Sequence, residues 1–161
     1  MTIIAIDPSL TRTALVRKSA GDVTWEVYTT RHAWGLAKRL RTLAVRVRRA
    51  VVDTPDVSLV VIEQPGFVSV SRASGTEATQ RVIGALLAAL PDGRVELVAV
   101  QTARAALGIR AKRGKGNAKR AVVAWVEQQG HVLPRSPVAK NPDHDVADAI
   151  LLAYYAEAHL L

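Results

Sequence analysis

Four carboxylates stand where they could do chemistry together. The run Thr2-Ile3-Ile4-Ala5-Ile6 stops on Asp7 and is followed at once by Pro8. Ser58-Leu59-Val60-Val61-Ile62 stops in the same way on Glu63, with Gln64 and Pro65 behind it. Near the other end, Asp143-His144-Asp145-Val146-Ala147-Asp148 holds two acids three residues apart. Nearly continuous β-branched and apolar runs read as strands buried on both faces, and proline ends them because it cannot donate to a sheet ladder. Each strand therefore leaves an acid at its rim, where sites of such sheets are commonly built. On a helix, Asp145 and Asp148 share one face near the positive end of the macrodipole.

A lone D-x-x-D is most simply a helix cap. Two strand-end companions make that reading insufficient. Carboxylates brought together repel one another, and desolvation raises their pKa values, so a bound divalent cation relieves both penalties. Oxygen ligands without cysteine favour Mg²⁺ or Mn²⁺ over Zn²⁺. Two such ions about 4 Å apart can activate water and stabilise the leaving oxygen of a phosphodiester. His144 lies one residue off the Asp145/Asp148 face and reads as a neighbour rather than a ligand. His131 and His159 belong to no constellation and read as surface residues.

The charge points the same way. The chain has 161 residues and a net charge of +8, and a domain this basic usually meets a polyanion, most often nucleic acid. Arg110, Lys112, Arg113, Lys115, Lys119 and Arg120 form the densest cluster, with glycines and no acid among them. A solvated loop would mix signs, so this one reads as phosphate-seeking. Arg72, beyond Glu63, is a further candidate contact. Metal-dependent nuclease is the leading function.

The elements that must position these groups follow from periodicity. Short strands are expected at Ala14 to Val16 and Val23 to Thr29. A long helix over about Ala33 to Val52 carries the stripe Leu36, Leu40, Leu43, Val47 and Val51, with Lys38, Arg39, Arg41, Arg46, Arg48 and Arg49 outward. Ser74-Gly75-Thr76-Glu77 fits a capping box opening a helix apolar on most sides. A strand at Arg94 to Val100, a short helix at Thr102 to Leu107, and helices at Ala118 to Gln129 and Asp143 to His159 complete the chain. With no internal repeat and no dividing linker, residues 1–161 read as one domain. No cysteine is present, which excludes disulfides and thiolate metal sites and fits a reducing cytoplasm. No signal peptide is evident at the N-terminus, and no apolar run is long enough for a membrane span.

The motifs Ile4-Ala5-Ile6-Asp7-Pro8, Val61-Ile62-Glu63-Gln64 and Asp145-Val146-Ala147-Asp148-Ala149-Ile150 together resemble the RuvC-type Holliday-junction resolvases of the ribonuclease H-like superfamily. Order, spacing and chain length match over nearly the whole sequence. The resemblance implies an α/β fold with a mixed five-stranded sheet, its first three strands antiparallel, and helices on both faces. It implies that Asp7, Glu63, Asp145 and Asp148 bind catalytic Mg²⁺ ions, two per site, and that Lys119 assists. It implies paired nicks in four-way DNA junctions by a homodimer, leaving 5′-phosphate and 3′-hydroxyl ends. The helix Glu77 to Leu90 is the candidate dimer surface. Phe67 resembles the family's junction-wedging aromatic, one residue displaced, and a cover for local core accounts for it equally.

The chain departs from the pattern in having Ser9 and Ala14 where the family has glycines. That makes the loop after Asp7 stiffer and argues against the actin-like ATPases, which need glycine there to cradle phosphates. Two rivals stay open. One is a ribonuclease H-like nuclease for other branched DNA, RNA or RNA–DNA hybrids, and the other is a basic DNA-binding protein without chemistry.

Overall fold

The computed structural model describes residues 1–65, 73–111, 114, 116–135 and 142–161, with side chains for all of these but 73–75. The strands are β1 (Thr2–Asp7), β2 (Arg12–Ser19), β3 (Asp22–Thr29), β4 (Val57–Gln64) and β5 (Val95–Ala99). The helices are α1 (Leu36–Val52), α2 (Ala73–Ala89), α3 (Val100–Ala106), α4 (Asn117–Gln128) and α5 (His144–His159). One sheet takes the order β3-β2-β1-β4-β5. The first three strands are antiparallel, and β4 and β5 join parallel to β1. This is the mixed five-stranded α/β architecture expected. Among the described residues no helix is long and apolar enough to cross a membrane.

Strand alternation sorts the core into two layers. Ile3, Ala5, Leu59 and Val61 face α3, α4 and α5. Ile4, Ile6, Val60 and Ile62 face α1 and α2. The paired register sets Ala5 against Val61, so continuing with period two aims both Asp7 and Glu63 toward the α5 layer. The last helix is buried almost all round: Val146, Ala147, Ala149, Ile150, Leu151, Leu152 and Ala153 are inaccessible to solvent. Each such Ile or Leu contributes roughly 1.5–3 kcal/mol by its burial. The sheet and α5 thus form a rigid frame around the acids.

Several boundaries differ from expectation, each for a local reason. β2 spans Arg12–Ser19 rather than Ala14 to Val16, because neighbours on both sides satisfy its backbone even where its side chains are charged. α1 begins at Leu36 after Gly35; Leu43, Val47 and Val51 are buried as expected, joined by Ala44 and Ala50, whereas Leu36 is 38% exposed. Arg39, expected outward, is buried: its Nε donates to Thr30 Oγ1 at 2.9 Å and its Nη2 to the Leu10 carbonyl. α2 is already helical at Ala73, which places Ser74 inside the helix rather than at its cap. Among its described side chains that helix buries Val82, Ile83 and Leu86, while Leu87 is 42% exposed. β5 is shorter than expected, Val95–Ala99, and α3 takes over directly at Val100.

Candidate active site

The ends of β1 and β4 bring Asp7 and Glu63 side by side, and the first turns of α5 bring Asp148 onto them. One carboxylate oxygen from each of Asp7, Glu63 and Asp148 lies within 4.8 Å of the others. They stand in a cleft of about 540 Å³ that Asp145, Ser9, Gln101, Arg104 and Lys119 help to line. All four acids picked out by the sequence therefore reach one cleft, although they come from opposite ends of the chain.

Asp145 is placed differently from the other three. Its Oδ2 lies 2.7 Å from Arg12 Nη1, at the start of β2. The same Arg12 nitrogen donates to Asp143 Oδ1 at 2.8 Å, and Arg12 Nη2 donates to Asp143 Oδ2. Asp143 is the N-cap of α5, its Oδ1 accepting from the backbone N–H groups of Asp145 and Val146. Capping therefore falls to Asp143, which leaves Asp145 and Asp148 free for other work. Arg12 ties β2 to the start of α5 and holds the Asp145 carboxylate.

The electrostatics of the cluster are strained. Burial, followed by the charges of Glu63, Asp145 and Asp148, holds Asp7 well above the usual carboxylate range. Burial also raises Glu63, outweighing its hydrogen bond with Asp7 and the charges of Lys119 and Arg104. Asp148 is pushed up to about 7, by burial first and by Glu63 second. Oxygen-only donors that are close together and raised in pKa by burial and mutual repulsion suit a hard divalent cation. Asp7, Glu63 and Asp148 are the residues that could hold one.

Two cations stand nearby. Lys119, in the first turn of α4, lines the cleft and lowers the pKa values of both Glu63 and Asp148 by its charge. Gly116, at φ 76°, makes the left-handed turn that leads into this helix. Arg104 on α3 acts on the same two acids, and among the described residues its buried Nε has no hydrogen-bond partner. Sequence reading missed Arg104 and Arg12. The signal for Arg104 was its position just past the end of β5, level with the strand-end acids. Arg12 offered none, since its carboxylates lie 131 and 133 residues away.

The other expected contacts are distributed unevenly. Arg110 and Arg120 are exposed, and Arg120 Nη2 donates to Asn117 Oδ1; neither lines the cleft. Phe67, Arg72, Lys112, Arg113 and Lys115 lie outside the described residues. His144 is not among the three grouped acids. His131 is not a plain surface residue: its Nε2 is 2.8 Å from Tyr154 Oη and its ring packs edge-on against that tyrosine.

No protein-family model matches the chain, and no curated protein matches it in sequence. Solved structures do. RuvC from T. thermophilus in complex with a Holliday junction substrate superposes with a TM-score of 0.70 at 17% identity, over 99% of this chain and 94% of that one. A further structure of Thermus thermophilus RuvC gives a TM-score of 0.65 at 20% identity, over 99% of this chain and 95% of that one. The fold is therefore that of RuvC.

Proposed function

We propose that this protein is a divalent-metal-dependent endonuclease that cuts branched DNA, above all four-way junctions, by paired nicks. One observation carries the reading: three acids from β1, β4 and α5 converge within 4.8 Å in a cleft flanked by Lys119 and Arg104. The net charge of +8 supports a polyanionic substrate. The likeness to RuvC solved with a Holliday junction substrate supports four-way DNA as the first substrate to test.

Mg²⁺ or Mn²⁺, held by Asp7, Glu63 and Asp148, would supply an activated water and stabilise the leaving oxygen. The chain's own groups do the rest. Lys119 and Arg104 face the acids and offer donors to the non-bridging oxygens of the phosphate, whose charge they offset. Asp145 shares the cleft while its carboxylate rests on Arg12, a position from which it can join the ligand set. The buried walls of β1, β4 and α5 keep the acids fixed, so the ordering cost is met on folding rather than at each turnover. Two copies of the chain on one junction would match its two-fold symmetry and place one cleft at each strand to be cut.

The test is a Mg²⁺ titration on a synthetic four-way junction beside fork, linear duplex and RNA–DNA hybrid, with products resolved to the nucleotide. Symmetric nicks in the junction alone are expected. Preferential cutting of the hybrid would move the assignment to another ribonuclease H-like activity, and no product from any substrate would end the hydrolase reading.

A further inference from the structure

We infer that the protein carries a second DNA-binding surface, at Trp34, Arg31 and Lys38, which grips the phosphate backbone of a double-stranded arm leaving the cleft. This surface rests on the reading of the protein as a DNA-cutting enzyme and adds to it a contact outside the cleft.

Sequence and geometry meet here. From Thr30 to Val52 the chain holds seven lysines and arginines and no aspartate or glutamate. A solvated helix face ordinarily mixes signs to form pairs along the helix. Trp34 sits in the turn before α1, its N–H bonded to the Arg31 carbonyl. The half-buried indole supports two cations, with Lys38 Nζ at 4.7 Å and Arg31 Cζ at 5.9 Å from the ring centroid. Lys38 and Arg41 lie at helical spacing on the same exposed side. Among the described residues none of Arg31, Lys38 and Arg41 makes a salt bridge. Stacking on one ring restricts both side chains before any ligand arrives, so less rotamer entropy is lost when phosphates bind.

The position fits an arm rather than the cutting point. β3 ends at Thr29, opposite Arg12 on β2, so the turn lies at the same end of the sheet as Asp7. It is anchored to the segment following Asp7: the Thr30 N–H donates to the Thr11 carbonyl, and buried Arg39 bonds both Thr30 Oγ1 and the Leu10 carbonyl. Apart from Thr79 of α2, the helical residues lining the cleft come from α3, α4 and α5, whereas the Trp34 turn leads into α1 on the opposite layer. With β2 and β3 between β1 and this turn, a duplex lying over the acids would meet the turn along an arm. Backbone phosphates are the matching ligand, because Lys38 offers a point charge and Arg31 a guanidinium fork, both donors only and both suited to phosphate oxygens.

The experiment compares the full-length protein with Arg31→Ala/Lys38→Ala, and separately with Trp34→Ala, in metal-free buffer. Each binds labelled four-way junctions with long or truncated arms across about 50 to 200 mM salt. On long arms the double variant should bind at least about tenfold more weakly, and the slope of log affinity against log salt should flatten by about 2, one phosphate contact per cation lost. Trp34→Ala should weaken long-arm binding in the same direction, and truncated arms should bind all three proteins alike. Equal long-arm affinity and slope in the double variant would overturn the proposal, as would an equal loss on both arm lengths. The two readings separate cleanly: a parent protein that binds long arms through this surface yet never nicks in Mg²⁺ leaves the surface standing and removes the nuclease. A parent that binds no DNA removes both.

Discussion

Arg12 meets Asp145 at 2.7 Å, joining the start of the second strand to the first turn of the last helix. The contact does two jobs. It fastens α5, which carries half of the acids, to the sheet that carries the other half. It also occupies the one acid of the four that stands apart from the group of three.

Removing Arg12 should therefore cost stability. The guanidinium bonds two carboxylates, one of them on Asp143, which is 2% exposed and would be left as a buried charge. Arg12→Ala should lose roughly 2–4 kcal/mol in denaturant unfolding, near the lower part of the range for breaking a buried pair. A loss below about 0.5 kcal/mol, the scale of ordinary surface substitutions, would show that the clamp is not structural.

The metal-free protein should become less stable as pH rises. Asp7, Glu63 and Asp148 all have folded pKa values above their ordinary 3.8, 4.5 and 3.8, with Asp148 near 7. The folded state thus binds more protons than the unfolded chain in this window, and the slope of stability with pH is negative. The contribution is fully present below the ordinary values and is lost as pH climbs through about 7. Melting temperature in chelator should fall between about pH 5 and pH 8, and Asp148→Asn should flatten the fall. Added Mg²⁺ should raise melting more at the alkaline end than at the acid end, because only ionised carboxylates bind it. A melting temperature independent of pH in chelator would contradict the crowding of the acids.

Lys119 and Arg104 each pull the pKa values of Glu63 and Asp148 down. Without either cation those acids should ionise at higher pH. Lys119→Met and Arg104→Met should shift the acid limb of the kcat/KM profile to the alkaline side, in addition to lowering its plateau by about 10- to 100-fold. A lowered plateau with the limb unmoved would assign both residues to phosphate binding alone.

How far the sequence reveals all this depends on how local each cause is. Asp7 and Glu63 are legible because the run of apolar residues, the acid and the proline are contiguous, and strand parity then aims both side chains to one layer. Asp148 is legible from its spacing to Asp145. The clamp on Asp145 is not, because Arg12 reads locally as one more polar strand residue and its partners become neighbours only when β2 docks beside α5. Arg39 misleads for a related reason: helical periodicity puts it outside, and only the Leu10 and Thr30 acceptors, supplied by a distant turn, make its burial favourable. Lys38 and Arg41 were legible only as the charged outer face of a helix, and Trp34 and Arg31 were not singled out, because the ring contacts form only once the turn before α1 is folded.

The central claim is that the cluster around Asp7 holds metal against a phosphate, and Asp7→Asn tests it most directly. With the parent and the variant side by side on a four-way junction in Mg²⁺, nicking should fall at least about 10³-fold, the scale expected when a residue acting in the transition state is lost. Junction affinity should stay equal or rise, because a negative charge facing the phosphate has been removed. Nicking by Asp7→Asn at the parent's rate would contradict the account.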